Sequence, residues 1–268
     1  MIKHLFLVFL AAALAFNADA ASRRRMRAAA SDSLQILFVG NSYTFYNDLP
    51  AMVSKLAASQ GVKLAPSRAL KGGESLKGHL NHPFLPKILK EGGFDYVVIQ
   101  DASYRPSYSA KYVVDSVYPY AAAIDSLAKA GSPGVKTVYY MTWGHKDGIL
   151  HHKTDYPFNR TYQDMQERLK LSYLEMAYEN GGLCAPVGIA WETVVNERPD
   201  IELYSLKDRH HPSKAGSYLA ACVIAGTVLG KPVRSTCYFG LQPDVALFLQ
   251  DIAAKVVLEY IPPVERTQ

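Results

Sequence analysis

Two short stretches of this chain hold the residue types needed for acyl-transfer chemistry. The first is Gln35-Ile36-Leu37-Phe38-Val39-Gly40-Asn41-Ser42, in which a serine closely follows an apolar run. The second is Asp208-Arg209-His210-His211-Pro212-Ser213. A serine hydroxyl is a weak nucleophile until a neighbouring base takes its proton. An Asp and a His three apart, here Asp208 and His211, can bring a carboxylate and an imidazole to one place, while the nucleophile comes from elsewhere in the fold. The imidazole would take the Ser42 proton and later deliver it to the leaving group. Asp208 would orient the ring and stabilise its protonated form. His210 is a rival base. The plain alternative for Ser42 is a turn serine that caps local backbone.

Such residues need elements to hold them. Leu34 to Val39 reads as a buried strand that stops abruptly at Gly40-Asn41-Ser42, and Leu49, Met52, Val53, Leu56 and Ala57 mark an amphipathic helix after it. A serine just past the carboxyl end of the first parallel strand lies where open α/β sheets bind ligands. Further strands are expected at Val62 to Leu70, Asp95 to Gln100, Lys136 to Thr142 and Leu183 to Val187. Between and after them, helices are expected beyond the turn Lys71 to Ser75, over Tyr112 to Ala130, over Tyr162 to Asn180 with a stop at Gly181-Gly182, and from about Ile189. Ser213 is the expected N-cap of a helix ending at Leu229-Gly230, and a last helix runs from about Asp244 to Glu259. Strands alternating with helices imply a three-layer α/β fold with a doubly wound, five-stranded parallel sheet of flavodoxin type. There is no internal repeat. The one long irregular connection, Gly144 to Asn159, overhangs the sheet edge that carries Ser42, where long loops are often functional.

The two stretches resemble the end blocks of the SGNH, or GDSL-type, hydrolase superfamily, over about Leu34 to Gly230. That family carries Gly-Asp-Ser near the start of its domain and Asp-x-x-His near the end. Here the first block is Gly40-Asn41-Ser42, with Asn for Asp, and the last is Asp208-Arg209-His210-His211. The resemblance implies the same flavodoxin-like sheet and selects His211 over His210 as the base, since its spacing from Asp208 and the following Pro212 match the block. It also implies an oxyanion hole. One donor is the Ser42 backbone N–H, and a second is a glycine N–H in Gly72-Gly73-Glu74-Ser75, with Gly73 preferred to Gly72. The family's third donor is the Asn of Gly-x-Asn-Asp after the third strand. This chain departs there, reading Gln100-Asp101-Ala102-Ser103-Tyr104. Gln100 carries the same amide donor at the strand end, and Ser103 is the second choice.

The remaining features narrow the function class. Half of the residues are apolar (49%) and a fifth are charged, as in a globular protein with a substantial core. Residues 1–20 have the form of a signal peptide: Lys3 and His4, an apolar run from Leu5 to Phe16, then Ala18-Asp19-Ala20. That run is too short for a comfortable bilayer span, and no cysteine at the cleavage point suggests a lipid anchor. Residues 21–33 read as an Arg/Ala/Ser-rich leader, and 34–268 as one domain. Arg23, Arg24, Arg25 and Arg27 carry four of the five net positive charges, so from Ala28 onward the chain is at +1. A nucleic-acid partner is therefore not expected. The three cysteines, Cys184, Cys222 and Cys237, form no disulfide framework, although a Cys222–Cys237 bridge is conceivable. His145, His151 and His152 lack a regular spacing with carboxylates, so no metal and no cofactor is expected. Asn41, Ser103 and Trp143 are candidate substrate contacts; Trp143 could stack on a sugar ring or simply pack. Tyr43, Tyr46 and Tyr104 would likewise suit carbohydrate. Asn159-Arg160-Thr161 is a glycosylation sequon, with meaning only in a eukaryotic source. Together these features describe a secreted or periplasmic serine esterase with no membrane anchor. Its expected partner is a small-molecule or glycan ester, with an O-acetylated carbohydrate the first candidate. A lipid esterase and a binding protein on the same scaffold are the rivals.

Overall fold

The structure, a computed structural model, describes residues 32–149 and 159–260. The expected signal peptide, most of the leader, His151 and His152 lie outside them. Five strands form the sheet: β1 (Leu34–Gly40), β2 (Leu64–Leu70), β3 (Tyr96–Ile99), β4 (Lys136–Tyr140) and β5 (Leu183–Ala185). All pairings are parallel, in the order β2-β1-β3-β4-β5. This is the doubly wound flavodoxin order. The winding reverses between β1 and β3, and ligands bind at such a switch point, outside the carboxyl ends of the strands.

Side chains on a strand alternate between faces, and both faces of this sheet are covered. Ile36, Phe38, Val98, Val138 and Tyr140 enter one core, and Leu37, Val39, Val97, Ile99 and Tyr139 the other. In chain order the helices are α1 (Ser42–Phe45), α2 (Leu49–Ser59), α3 (Leu76–Asn81), α4 (Phe84–Glu91), α5 (Ala110–Ser116), α6 (Tyr118–Gly131), α7 (Tyr162–Glu179), α8 (Val187–Glu197), α9 (Lys214–Leu229) and α10 (Pro243–Tyr260). Helix α9 is buried nearly all round, which its Ala-rich, apolar sequence permits. It starts where expected, with Ser213 Oγ accepting from Gly216 N at 3.1 Å, and stops at Gly230 in the left-handed region.

Two expectations change. The segment Tyr112 to Ala130 is two helices rather than one, broken at Val117 (φ −123°, ψ −59°). Pro119 lacks an N–H and cannot continue an incoming helix, but it fits the first turn of a new one. The fifth strand ends at Ala185 because Pro186 follows, where a ladder hydrogen bond would need a donor.

Candidate active site

Ser42 is the first residue of α1, immediately beyond β1 at the switch point. The turn into α1 is held by its neighbours. Asn41 Oδ1 accepts from Tyr43 N at 3.2 Å, and Asn41 Nδ2 donates to the Glu74 carbonyl at 3.0 Å and to the Asp101 carbonyl at 3.3 Å. One buried amide thus ties together the loops after β1, β2 and β3. The expected role of Asn41 as a substrate contact is corrected: it is 2% exposed and its side-chain atoms are already engaged.

His211 lies on the segment before α9. Ser205 N donates to the His211 carbonyl and Ser213 N to the Leu203 carbonyl, each at 2.8 Å, and Tyr204 bridges Pro212 in antiparallel fashion. Arg209 takes a left-handed turn (φ 60°) and forms a two-toothed ion pair with Asp147. Within this turn Asp208 Oδ1 accepts the backbone N–H groups of His210 (3.1 Å) and His211 (2.9 Å).

The result is a continuous chain across 169 residues of sequence: Asp208 Oδ2 to His211 Nδ1 at 2.8 Å, and His211 Nε2 to Ser42 Oγ at 2.7 Å. An ionised carboxylate only accepts, so Nδ1 carries the ring proton and Nε2 accepts from the serine hydroxyl. Asp208 stays ionised. Burial pushes its pKa up, but the two backbone donors and the His211 ring outweigh this and hold it at about 2. The His210 ring stacks on His145 at 4.8 Å and lies tilted against His211 at 4.3 Å, while the bond to Ser42 Oγ comes from His211.

The loop after β2 contains Gly73. It has φ +67°, a conformation that favours glycine, and open space where a Cβ would stand. Neither the Ser42 N–H nor the Gly73 N–H has a hydrogen-bond acceptor among the described residues. Both lie beyond the carboxyl ends of adjacent strands, since Gly40 pairs with Leu70 and Lys71 N donates to the Gly40 carbonyl.

Gln100 does not do what its position suggested. It is fully buried; its Oε1 accepts from Asn41 N (3.1 Å) and Thr44 Oγ1 (2.9 Å), and its Nε2 donates to the Asp101 carbonyl. The backbone donor and the backbone acceptor fix which way the amide points, and that is inward. The side chain also explains Gly40, where a Cβ would come within 2.7 Å of Gln100 Oε1. Ser103 is half-buried, with its hydroxyl 3.3 Å from His145 Nε2.

Trp143 is likewise corrected as a substrate contact. It is fully buried, packed between Tyr43 (4.6 Å) and Trp191 (3.9 Å), and its Nε1 donates to the His210 carbonyl at 3.0 Å. Tyr43 is buried in the same stack and cannot meet a sugar. The sequon residue Asn159 is 1% exposed, with its Nδ2 bonded to the Ser107 carbonyl at 2.6 Å, so the folded chain does not present it for glycosylation. Cys222 and Cys237 are both free thiols. Donor atoms of Asp208, His210 and His211 lie within 4.8 Å of one another, but those of Asp208 and His211 are already engaged with each other and with Ser42. No helix among the described residues is long and apolar enough to cross a membrane.

Residues beyond the expected set also shape the site. Asp101 is buried, and its Oδ1 accepts from Leu76 N (3.0 Å) and Ala102 N (2.7 Å). Burial lifts its pKa to about 6, against the Arg105 charge and these two donors. Tyr46 lies flat on the His211 ring at 4.4 Å, and the Asn47 amide reaches the segment that follows His211. Tyr46 stood out in the sequence only as one of several tyrosines near Ser42, and nothing local marked Asn47.

No protein-family model and no curated protein sequence matches the chain. Solved structures do. A candidate SGNH hydrolase from Slackia heliotrinireducens is 29% identical over 73% of this chain and 98% of its own, with a TM-score of 0.60. A DUF4886 family protein from Bacteroides uniformis is 17% identical over 85% of this chain and 95% of its own, at 0.69. A variant of an acetyl-xylooligosaccharide esterase from Geobacillus is 18% identical over 76% of this chain and 98% of its own, at 0.51.

Proposed function

We propose, from the premise that the chain belongs to the SGNH hydrolase superfamily, that it is an exported serine esterase removing a small acyl group from an ester. The observation that carries this reading is the hydrogen-bonded chain from Asp208 through His211 to Ser42; it is supported by the backbone N–H groups of Ser42 and Gly73, which have no acceptor among the described residues. Ser42 Oγ attacks the ester carbonyl carbon as His211 Nε2 takes its proton. The carbonyl oxygen becomes an oxyanion, accepting from the Ser42 and Gly73 N–H groups, each worth very roughly 3 kcal/mol. Collapse breaks the bond to the alcohol, which leaves with the proton held on His211. A water molecule then repeats the sequence on the acyl-serine, releasing the acid and free Ser42. No step requires a cofactor.

An O-acetylated carbohydrate is the substrate class proposed. It draws on the expected export, on the name of the Geobacillus esterase, and on Phe45, which stands 42% exposed on the nucleophile's own helix. A second reading, a binding protein with little turnover, is favoured by one observation: the Gln100 amide faces inward, so no family-type third donor stands at the end of β3. Incubating the mature protein with a fluorophosphonate, then with acetylated xylooligosaccharides and short-chain p-nitrophenyl esters, separates the two. An esterase labels at Ser42 and releases acetate. A protein that neither labels nor turns over any ester is the binding module.

A further inference from the structure

The segment leaving the nucleophile helix returns to touch the base. Residues Tyr46–Asp48 form a single 3-10 turn directly after α1, and two consecutive non-glycine residues in it are left-handed, Asn47 (φ 53°) and Asp48 (φ 54°). Asn and Asp are the non-glycine residues that most readily take this conformation, so the sequence permits the reversal here.

The path of this turn serves two contacts. Tyr46 stacks on the His211 ring at 4.4 Å with the two planes 9° apart. The Asn47 amide reaches the segment that follows the base: Nδ2 donates to Ser217 Oγ at 2.8 Å, to the Ser213 carbonyl at 3.1 Å and to the Pro212 carbonyl at 3.4 Å. His211 has Asp208 on its Nδ1 and Ser42 on its Nε2, with Tyr43 edge-on at 5.5 Å and His210 tilted against it at 4.3 Å. The Tyr46 face completes this enclosure with an aromatic π-system, which attracts a cation placed over it. The ring becomes a cation only after it has taken the serine proton, so the attraction is gained as the reaction proceeds.

We propose that Tyr46 and Asn47 form a clamp, carried on the serine's own segment, that sets His211 over Ser42 and favours its protonated form through the Tyr46 ring. Both are positioning residues, acting through His211. As an account of rate, the clamp rests on the triad reading above; as an account of geometry, it does not.

Four variants test it: Tyr46→Phe, Tyr46→Leu, Asn47→Gly, which keeps the left-handed backbone without the amide, and Asn47→Asp. Four quantities are read in each, together with the melting temperature. These are kcat and KM on p-nitrophenyl acetate, the fluorophosphonate labelling rate at Ser42, and the low-field proton resonance of the His211 Nδ1–Asp208 hydrogen bond. Tyr46→Leu is expected to lower kcat about 3- to 30-fold with KM little changed, and Tyr46→Phe to restore it, because the aromatic face is what the base needs. Asn47→Gly and Asn47→Asp are expected to slow labelling and to broaden or shift the low-field resonance. Equal loss in Tyr46→Phe and Tyr46→Leu, or an unchanged kcat in Tyr46→Leu, overturns the role of the ring. An unmoved resonance with normal labelling in both Asn47 variants overturns the amide's role. Lower melting temperatures with normal kcat per labelled site make the turn merely structural and overturn the whole clamp. If the wild-type chain does not label at all, the esterase reading fails; the resonance still decides whether the clamp holds the ring.

Discussion

Truncating Gln100 distinguishes a structural amide from a catalytic one. Gln100→Ala leaves the Asn41 N–H without its acceptor in a region that excludes water, at about 1–3 kcal/mol. The vanished amide leaves a cavity of roughly 50 Å³, adding about 1 kcal/mol at about 24 cal/mol per Å³. The Thr44 hydroxyl also loses a partner, while the Asp101 carbonyl keeps the Asn41 amide. The total is about 3–5 kcal/mol, which for a domain of this size lowers the melting temperature by roughly 6–20 °C. Gln100→Glu should be worse, since it sets a second acceptor against the Asp101 carbonyl and buries a charge. The assay is a thermal melt paired with turnover per active site, counted by fluorophosphonate titration. With the amide facing inward, turnover per titrated site should stay within about threefold of wild type, far from the roughly 10²–10³ loss of a missing oxyanion donor. An unchanged melting temperature with a hundredfold loss per site would refute the inward assignment.

Ser42→Ala and His211→Ala should each lower ester hydrolysis by about 10⁴ or more without unfolding the chain, whereas His210→Ala should keep most activity; kcat/KM on a p-nitrophenyl ester, with a melt as control, measures both. Ser103→Ala tests the remaining candidate for a third donor: if its hydroxyl reaches the oxyanion, kcat falls by about 10²–10³ with KM little changed, and a normal kcat removes it from the site. Asp101 should leave a mark on the pH dependence of stability. Its folded pKa of about 6 lies above the usual carboxylate value, so its ionisation opposes folding. The penalty is absent below the unfolded pKa, grows as pH rises through that window and is complete above about 6. Wild type should therefore gain melting temperature relative to Asp101→Asn when the pH is lowered from about 7 to about 4, and parallel curves for the two proteins would sink the assignment.

Much of this protein was legible locally. The apolar run Ile36–Val39 ending at Gly40 encodes a strand buried on both faces, and Ser213 and Gly230 encode the limits of α9, because side-chain periodicity and capping depend on near neighbours. Five strand signals separated by helices and crossover-length connections sufficed for the doubly wound sheet, since parallel strands need such crossovers. The types and order of Ser42, Asp208 and His211 suggested the site for the same reason: each sits beside a turn or helix start that its neighbours define.

What only the tertiary structure decided is where polar groups find their partners. Gln100, Asn41 and Trp143 have the right chemistry and stand near the right edge. Their orientation is fixed by groups that sheet pairing and the return of the 203–213 segment bring alongside: Asn41 N and the Asp101 carbonyl for Gln100, the Glu74 carbonyl for Asn41, and the His210 carbonyl and Trp191 for Trp143. A side-chain amide or indole looks the same in sequence whether it faces a cleft or the core. Buried donors and acceptors must be paired, and which pairing is available is a property of packed neighbours distant in the chain. The contact of Tyr46 with His211, and of Asn47 with Ser217, belongs to the same class, because 165 or more residues separate the partners and only the closed fold places them together.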